Sequence, residues 1–374
     1  MIGNTNKEVS LMYVPCRREL FWIAVAALLF ASRGRPAQAQ TPVGHPSTTY
    51  ENGTWLGYGY LCDQKYWSQV PKVASRMKSD YQIQYWFLNV GTLDATGRLK
   101  GAVSAVTNFL DAVKLWEDQQ RYHFQIIAWL NADAAVVNVT DGTVRANIVD
   151  ECRRLVSMHV TNSYVAGATR AFDGMQLDLE PIGQDMSEQN DLASLFDQVR
   201  VAFRALGMGD KLTSFTPSKY GTRNKWWAGP QFYYSLAGHL DLLCAMTYDT
   251  GITTGSAYQS WMEDQTTNIL RAVSGRYWNN DAQHPARPNG AKVMIGLPAF
   301  PNNAYHTNTV ENISYAAPGV KAGLAALRAP GDISAHYFQG VAVYLLTDGT
   351  GNDGYSSYSR DWSWFRQDWL TTSQ

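Results

Sequence analysis

Apolar residues along this chain fall into two alternating kinds of segment. Short runs of strand length and composition occupy residues 55–61, 82–88, 124–130, 174–180, 212–216, 242–248, 292–297 and 341–346. Between them, apolar residues recur at helical spacing. Val103, Val106, Phe109, Leu110 and Val113 form one such set, and Leu192, Leu195, Phe196, Val199 and Phe203 another, each giving a single apolar stripe.

This alternation predicts βαβ units and a parallel sheet, because parallel strands need a long crossover that a helix supplies. Eight such units predict an α/β protein of the closed (β/α)8 TIM-barrel type, one domain over residues 51–374, with active residues at the carboxyl ends of its strands. An open, doubly wound sheet would be marked by a glycine-rich phosphate loop after a strand, and none of the eight runs is followed by one.

The amino terminus reads differently. Arg17 and Arg18 precede an apolar run at 21–31, too short for the ~20 residues a spanning helix needs, and Ala37-Gln38-Ala39 fits a small-residue cleavage site. The expectation is a signal peptide over 1–39, a leader over 40–50, and a secreted or periplasmic protein with no stable membrane anchor after cleavage. The arginine pair leaves the general and twin-arginine export routes both open.

Charge narrows the partners. Residues 1–39 carry five basic and two acidic side chains, so the whole-chain formal charge of −1 becomes −4 beyond them. Without a basic field, nucleic acid is not an expected partner. The 13 Trp and 21 Tyr supply flat amphipathic rings suited to sugars as well as to a core. Beyond the signal peptide only Cys62, Cys152 and Cys244 remain, so disulfides do not build this fold. Neither H-E-x-x-H, zinc-type Cys/His spacing nor Gly-x-Ser-x-Gly occurs, and no metal or other cofactor is expected.

The most informative stretch is residues 173–181, Asp-Gly-Met-Gln-Leu-Asp-Leu-Glu-Pro. Gln176, Asp178 and Glu180 alternate with Met175, Leu177 and Leu179 at strand period, so the three polar groups share one face. In a barrel that face points into the closed interior, where an unpaired charge is costly, and such a cost usually has a catalytic reason. Pro181 cannot continue the ladder and places Glu180 near the strand's carboxyl end.

This stretch resembles the fourth-strand signature Asp-Gly-x-Asp-x-Asp-x-Glu of glycoside hydrolase family 18, the chitinases and endo-β-N-acetylglucosaminidases, which Asp173, Gly174, Asp178 and Glu180 match. Met246-Thr247-Tyr248-Asp249 is similar to the family's sixth-strand Met-x-Tyr-Asp, and Gly296-Leu297-Pro298 to its seventh strand. There are departures. Gln176 replaces a usual carboxylate, Ile127-Ala128-Trp129-Leu130-Asn131 lacks the Ser-x-Gly-Gly of the third strand, and Tyr344 stands where a chitinase places a tryptophan. The segment 297–340 is also too short for the extra domain that walls many chitinase clefts. These departures point away from crystalline chitin and toward soluble glycans containing N-acetylglucosamine.

The resemblance implies a retaining, substrate-assisted glycosidase acting as a monomer on such a glycan. Glu180 would be the general acid and then base, Asp178 the group that orients the acetamido N–H, and Tyr248 the donor to its carbonyl. Asp249, Gln176, Met246 and Tyr344 would line the sugar site, with Tyr344 as its floor. From the residues alone, Tyr248 and Tyr344 serve equally as core rings and Asp249 as a turn residue. Gln176 is expected to donate to Asp178 and keep it ionised. Trp226, Trp227, Tyr258 and Trp261 are candidate outer sugar platforms. The alternative class is a non-catalytic, lectin-like protein on the same barrel, although such relatives generally lose the acid that Glu180 supplies here.

Overall fold

A computed structural model describes residues 50–371 except 63, 102, 162–168, 183–185, 224–225, 288 and 347–357. The expected signal peptide and nearly all of the leader lie outside the described residues. Among the described residues the barrel strands are β1 (Asn52–Leu56), β2 (Ile83–Leu93), β3 (Gln125–Asp133), β4 (Gly174–Glu180), β5 (Leu212–Phe215), β6 (Leu242–Ala245), β7 (Lys292–Pro298) and β8 (Phe338–Leu346). Each pairs parallel with its successor, and β8 returns to β1, so the sheet has no open edge. The described residues form a single (β/α)8 barrel.

The crossover helices are α1 (Val70–Ser79), α2 (Val106–Gln120), α3 (Gly142–Ser157), α4 (Met186–Ala205), α5 (Pro230–Leu236), α6 (Gly255–Val273) and α7 (Ile313–Ala326); α8 (Tyr358–Trp364) follows β8. Several starts are written locally. Asp141 accepts from the Thr143 and Val144 N–H groups, Thr254 from Ala257 and Asn312 from Ser314, satisfying amide donors that an uncapped helix leaves free. No helix among the described residues is long and apolar enough to cross a membrane.

Two apolar bodies hold the barrel together. Outward strand residues such as Met175, Leu177 and Leu179 pack beneath the helices, while Trp55, Tyr85, Phe87, Ile127, Trp129, Leu242, Cys244, Met294 and Ala342 fill the lumen. Gly174 lets β5 approach, since a Cβ there would stand 2.3 Å from the Leu212 carbonyl oxygen.

Several boundaries depart from the sequence expectation: β2 runs on to Leu93, β3 to Asp133 and β8 begins at Phe338, while two expected strands end early. The first run, expected at 55–61, is a strand only over Asn52–Leu56; Gly59–Cys62 is a helical turn, and its buried Tyr60 and Leu61 extend the apolar run past the strand's end. The sixth run, expected at 242–248, leaves the ladder after Ala245, and Met246 makes only an isolated bridge to Ser218.

The amino end of β4 is a closed ion network. Asp173 accepts from the Ile126 N–H at 2.8 Å, lies 3.1 Å from His123 Nε2 and pairs with Arg170 Nη1 at 2.8 Å. Arg170 also pairs with the buried Glu117 at 2.9 Å. Burial alone would raise the Asp173 carboxyl, but Arg170 and His123 outweigh it and hold the pKa at about 2. Burial lowers and the two acids raise the His123 imidazole, with a net pKa of about 9. At the bottom of a barrel, such pairing serves stability.

Candidate active site

The alternation read from the sequence places Gln176, Asp178 and Glu180 on the lumen face of β4, at successively higher levels toward the mouth. Their surroundings differ sharply. Gln176 is fully buried; its Oε1 accepts from Trp55 Nε1 at 2.8 Å and its Nε2 donates to Ser214 Oγ at 3.0 Å. The expected bond from Gln176 to Asp178 is not made, because both ends of the amide are taken by β1 and β5 across the lumen.

Asp178 finds its donors elsewhere. Thr216 Oγ1 donates to it at 2.6 Å and Trp129 Nε1 at 3.0 Å. Burial nevertheless raises its pKa, against the pull of these donors and of Glu180, and Gln176 is not among the groups that hold it down, which corrects the role expected of Gln176. Glu180, half-buried at the strand's end, is raised well above the ordinary glutamate value by burial and by the charge of Asp178, with which it is hydrogen-bonded. Two close carboxyls resist joint ionisation, and the stronger upward push falls on Glu180.

Tyr248 and Tyr344 meet over this pair. Their rings stack at 5.3 Å and 20°, with Phe300 edge-on to both, and Tyr344 also stands edge-on to Trp55 and Trp129. No described residue takes the Tyr248 hydroxyl. Gly296 makes room for the Tyr248 ring, since a Cβ at that position would lie 3.2 Å from its Cε1 and 2.6 Å from the Ala245 oxygen. Burial raises both phenols, so both remain protonated donors. Met246 and Asp249 flank Tyr248 on the segment that leaves β6. Asp249 sits at φ 56° and accepts from Asn303 Nδ2 at 2.9 Å.

Sequence reasoning missed four contributors. Trp129 occupies the third-strand departure, but only the barrel's closure shows that its indole reaches Asp178. Lys219, in the segment after β5, interacts with Asp249, Glu180 and Glu311; burial draws its ammonium below the usual lysine value. Glu311 accepts from Thr250 Oγ1 at 2.6 Å and from the Thr250 and Gly251 N–H groups, which fixes the turn after Asp249. His306, fully buried, lies 3.3 Å from Glu311 and stacks on Phe300 at 3.9 Å. A position shortly after a strand's carboxyl end was the one signal available for Lys219.

The proposed outer platforms are mostly not platforms. Tyr258 is fully buried and donates to the Thr247 carbonyl, Trp227 is 8% exposed, and Trp261 packs between them. Helix α6 carries Tyr258 and Trp261 inward on its apolar stripe, and only Trp226 is broadly exposed.

No family model matches the sequence, and no curated protein matches it. Solved structures do. The C-terminal domain of a protein provisionally assigned as a chitinase, from Desulfitobacterium hafniense DCB-2, superposes with a TM-score of 0.53 at 14% identity over 86% of this chain and 99% of that one. A chitinase from Chromobacterium violaceum gives 0.50 at 13% identity, covering 87% and 100%. A group IV chitinase from Ostrinia furnacalis gives 0.51 at 10% identity, covering 86% and 99%. At these identities the likeness is one of fold: the described residues form a (β/α)8 barrel like that of these proteins.

Proposed function

We propose that this protein is an exported glycosidase that cleaves β-linked glycans containing N-acetylglucosamine by a retaining, substrate-assisted route. The observation that carries the reading is the Glu180 carboxyl at the barrel mouth, hydrogen-bonded to the Asp178 carboxyl beneath it and beside the uncommitted Tyr248 hydroxyl. Burial and the Asp178 charge raise the Glu180 pKa, the direction that protonation of a leaving glycosidic oxygen requires.

The second carboxyl stands two residues away on the same strand face, not across a bond. That arrangement suits the exception to two-carboxylate hydrolysis, in which the substrate's own acetamido oxygen attacks the anomeric carbon. In this reading Glu180 gives its proton to the departing oxygen as that bond breaks. Asp178, as a carboxylate, accepts the acetamido N–H and stabilises the positive oxazolinium. Tyr248 donates to the acetamido carbonyl and holds it in attack geometry. Glu180, now a carboxylate, takes a proton from the water that opens the ring. Tyr344, braced by Trp129 and Phe300, forms the floor.

The test compares aryl glycosides of N-acetylglucosamine oligomers with the matching glucose oligomers, with a thiazoline mimic of the cyclic intermediate as inhibitor. Cleavage of the first series alone, blocked by the thiazoline, is expected. Equal turnover of both series would remove the substrate-assisted reading.

A further inference from the structure

The connection between β7 and α7 grips the segment that leaves β6, and each residue of 248–251 is held by a residue of 300–311. Phe300 stands edge-on to the Tyr248 ring at 5.3 Å, and Asn303 Nδ2 donates to Asp249 at 2.9 Å. Glu311 Oε1 accepts from the Thr250 N–H at 2.9 Å and from the Gly251 N–H at 3.2 Å, and the Tyr305 carbonyl oxygen shares the Gly251 N–H at 2.9 Å.

His306 joins the parts of that grip. It is fully buried, and its ring stacks on Phe300 at 3.9 Å and 22°. Its Nε2 lies 3.2 Å from the Phe300 carbonyl oxygen and its Nδ1 3.3 Å from Glu311 Oε2, while its own carbonyl accepts from the Asn303 N–H at 3.0 Å. Phe300, Asn303 and Glu311 thus meet on one residue. Both atoms that face the ring nitrogens are acceptors, so a ring that satisfies them donates from both. Burial pushes the Glu311 carboxyl up, but the bonds from His306 and Thr250 outweigh it and leave it below the ordinary glutamate value. Without the His306 donor that buried carboxylate is short of a partner, which favours its rotation away from the turn it holds.

We infer that His306 is a positioning residue, fixing Tyr248 and Asp249 at the barrel mouth by holding Phe300 and Glu311 against the two ends of their segment. For its effect on turnover the inference rests on the glycan reading of the site. His306 is buried behind the Phe300 ring, and its loss is felt as a misplaced Tyr248 hydroxyl.

Two measurements on folded protein test it. His306→Phe keeps a ring on Phe300 and removes both donors, and His306→Gln restores one. On an aryl chitobioside, His306→Phe should lower kcat and kcat/KM together by about 10- to 100-fold, with KM within about threefold of native and part of the loss recovered in His306→Gln. In Tyr248→Phe protein the same change should cost about threefold or less, because the group it positions is already gone. An equal loss in both backgrounds, a change in KM alone, or no loss overturns the inference. The second measurement needs no substrate: hydrogen exchange of the Thr250 and Gly251 amides should quicken by about 10-fold or more in His306→Phe. His306→Gln carries both measurements if the phenylalanine variant does not fold. Absence of turnover by the native protein would defeat the glycosidase reading while the exchange rates still judge His306, and unchanged rates would overturn its positioning role whatever the reaction.

Discussion

One acid immediately precedes strand β4 and another ends it, and the two are treated in opposite ways. At the amino end, Asp173 is surrounded by Arg170, His123 and the Ile126 N–H, and its pKa falls to about 2. At the carboxyl end, Glu180 is pushed well above its ordinary value by burial and by Asp178, with Lys219 only partly opposing. Both carboxyls are removed from water to a large degree. The difference lies in what lies nearby: cations and an amide below, another carboxyl above. Across one seven-residue strand the surroundings change from those that pull a carboxyl pKa down to those that push it up, as the proposed acid requires.

The largest expected effect breaks the upper end. Glu180→Gln should lower turnover of an aryl chitobioside by about 10² to 10⁴ while the melting temperature stays level or rises, because an amide keeps the shape and relieves the carboxyl repulsion. A clear loss of stability with near-normal turnover would reverse the roles of the two ends.

The complementary change breaks the lower end. Asp173→Asn leaves Arg170 and Glu117 without their balance and should cost about 3–5 kcal/mol in urea unfolding, with kcat of the folded fraction near native. The same network sets a pH dependence. Asp173 has a depressed folded pKa, so its contribution is full above the unfolded value of about 3.9 and is lost as pH falls through about 2. His123 has a raised pKa, so its smaller, partly solvent-screened contribution is full below about 6.5 and lost as pH rises through about 9. Urea midpoints measured across this range should show both edges in the native protein, and Asp173→Asn should lose the acid one.

The smallest effect sharpens the comparison at its upper end. Lys219 is the cation that draws the Glu180 pKa down, so Lys219→Met should move the basic limb of the kcat/KM profile to higher pH. A downward movement would mean that Lys219 does not act on Glu180.

Much of this contrast is written in local pattern. The strand period puts Gln176, Asp178 and Glu180 on one face, Pro181 marks its end, and alternating strand and helix segments imply the barrel that turns the face inward. What pattern does not carry is the identity of partners brought in by closure. Gln176 bonds Trp55 and Ser214, and Asp178 bonds Trp129 and Thr216, all from other strands. Read along the strand alone, Gln176 and Asp178 are natural partners; in the barrel their side chains sit at different levels, Gln176 bonded to the adjacent β5 and across the lumen to β1, Asp178 to groups from the two sides of β4. The β1 boundary was misplaced for a related reason, since Tyr60 and Leu61 are as buried in a helical turn as they would be in a strand.

The most direct measurement is a carboxyl-carbon NMR titration of the intact protein, with Asp173→Asn and Glu180→Gln used to assign the two resonances. The account predicts that the Asp173 carbon stays in its ionised position down to strongly acidic pH, while the Glu180 carbon titrates well above the ordinary glutamate value of about 4.3. Two carbons titrating together near their ordinary values would contradict it.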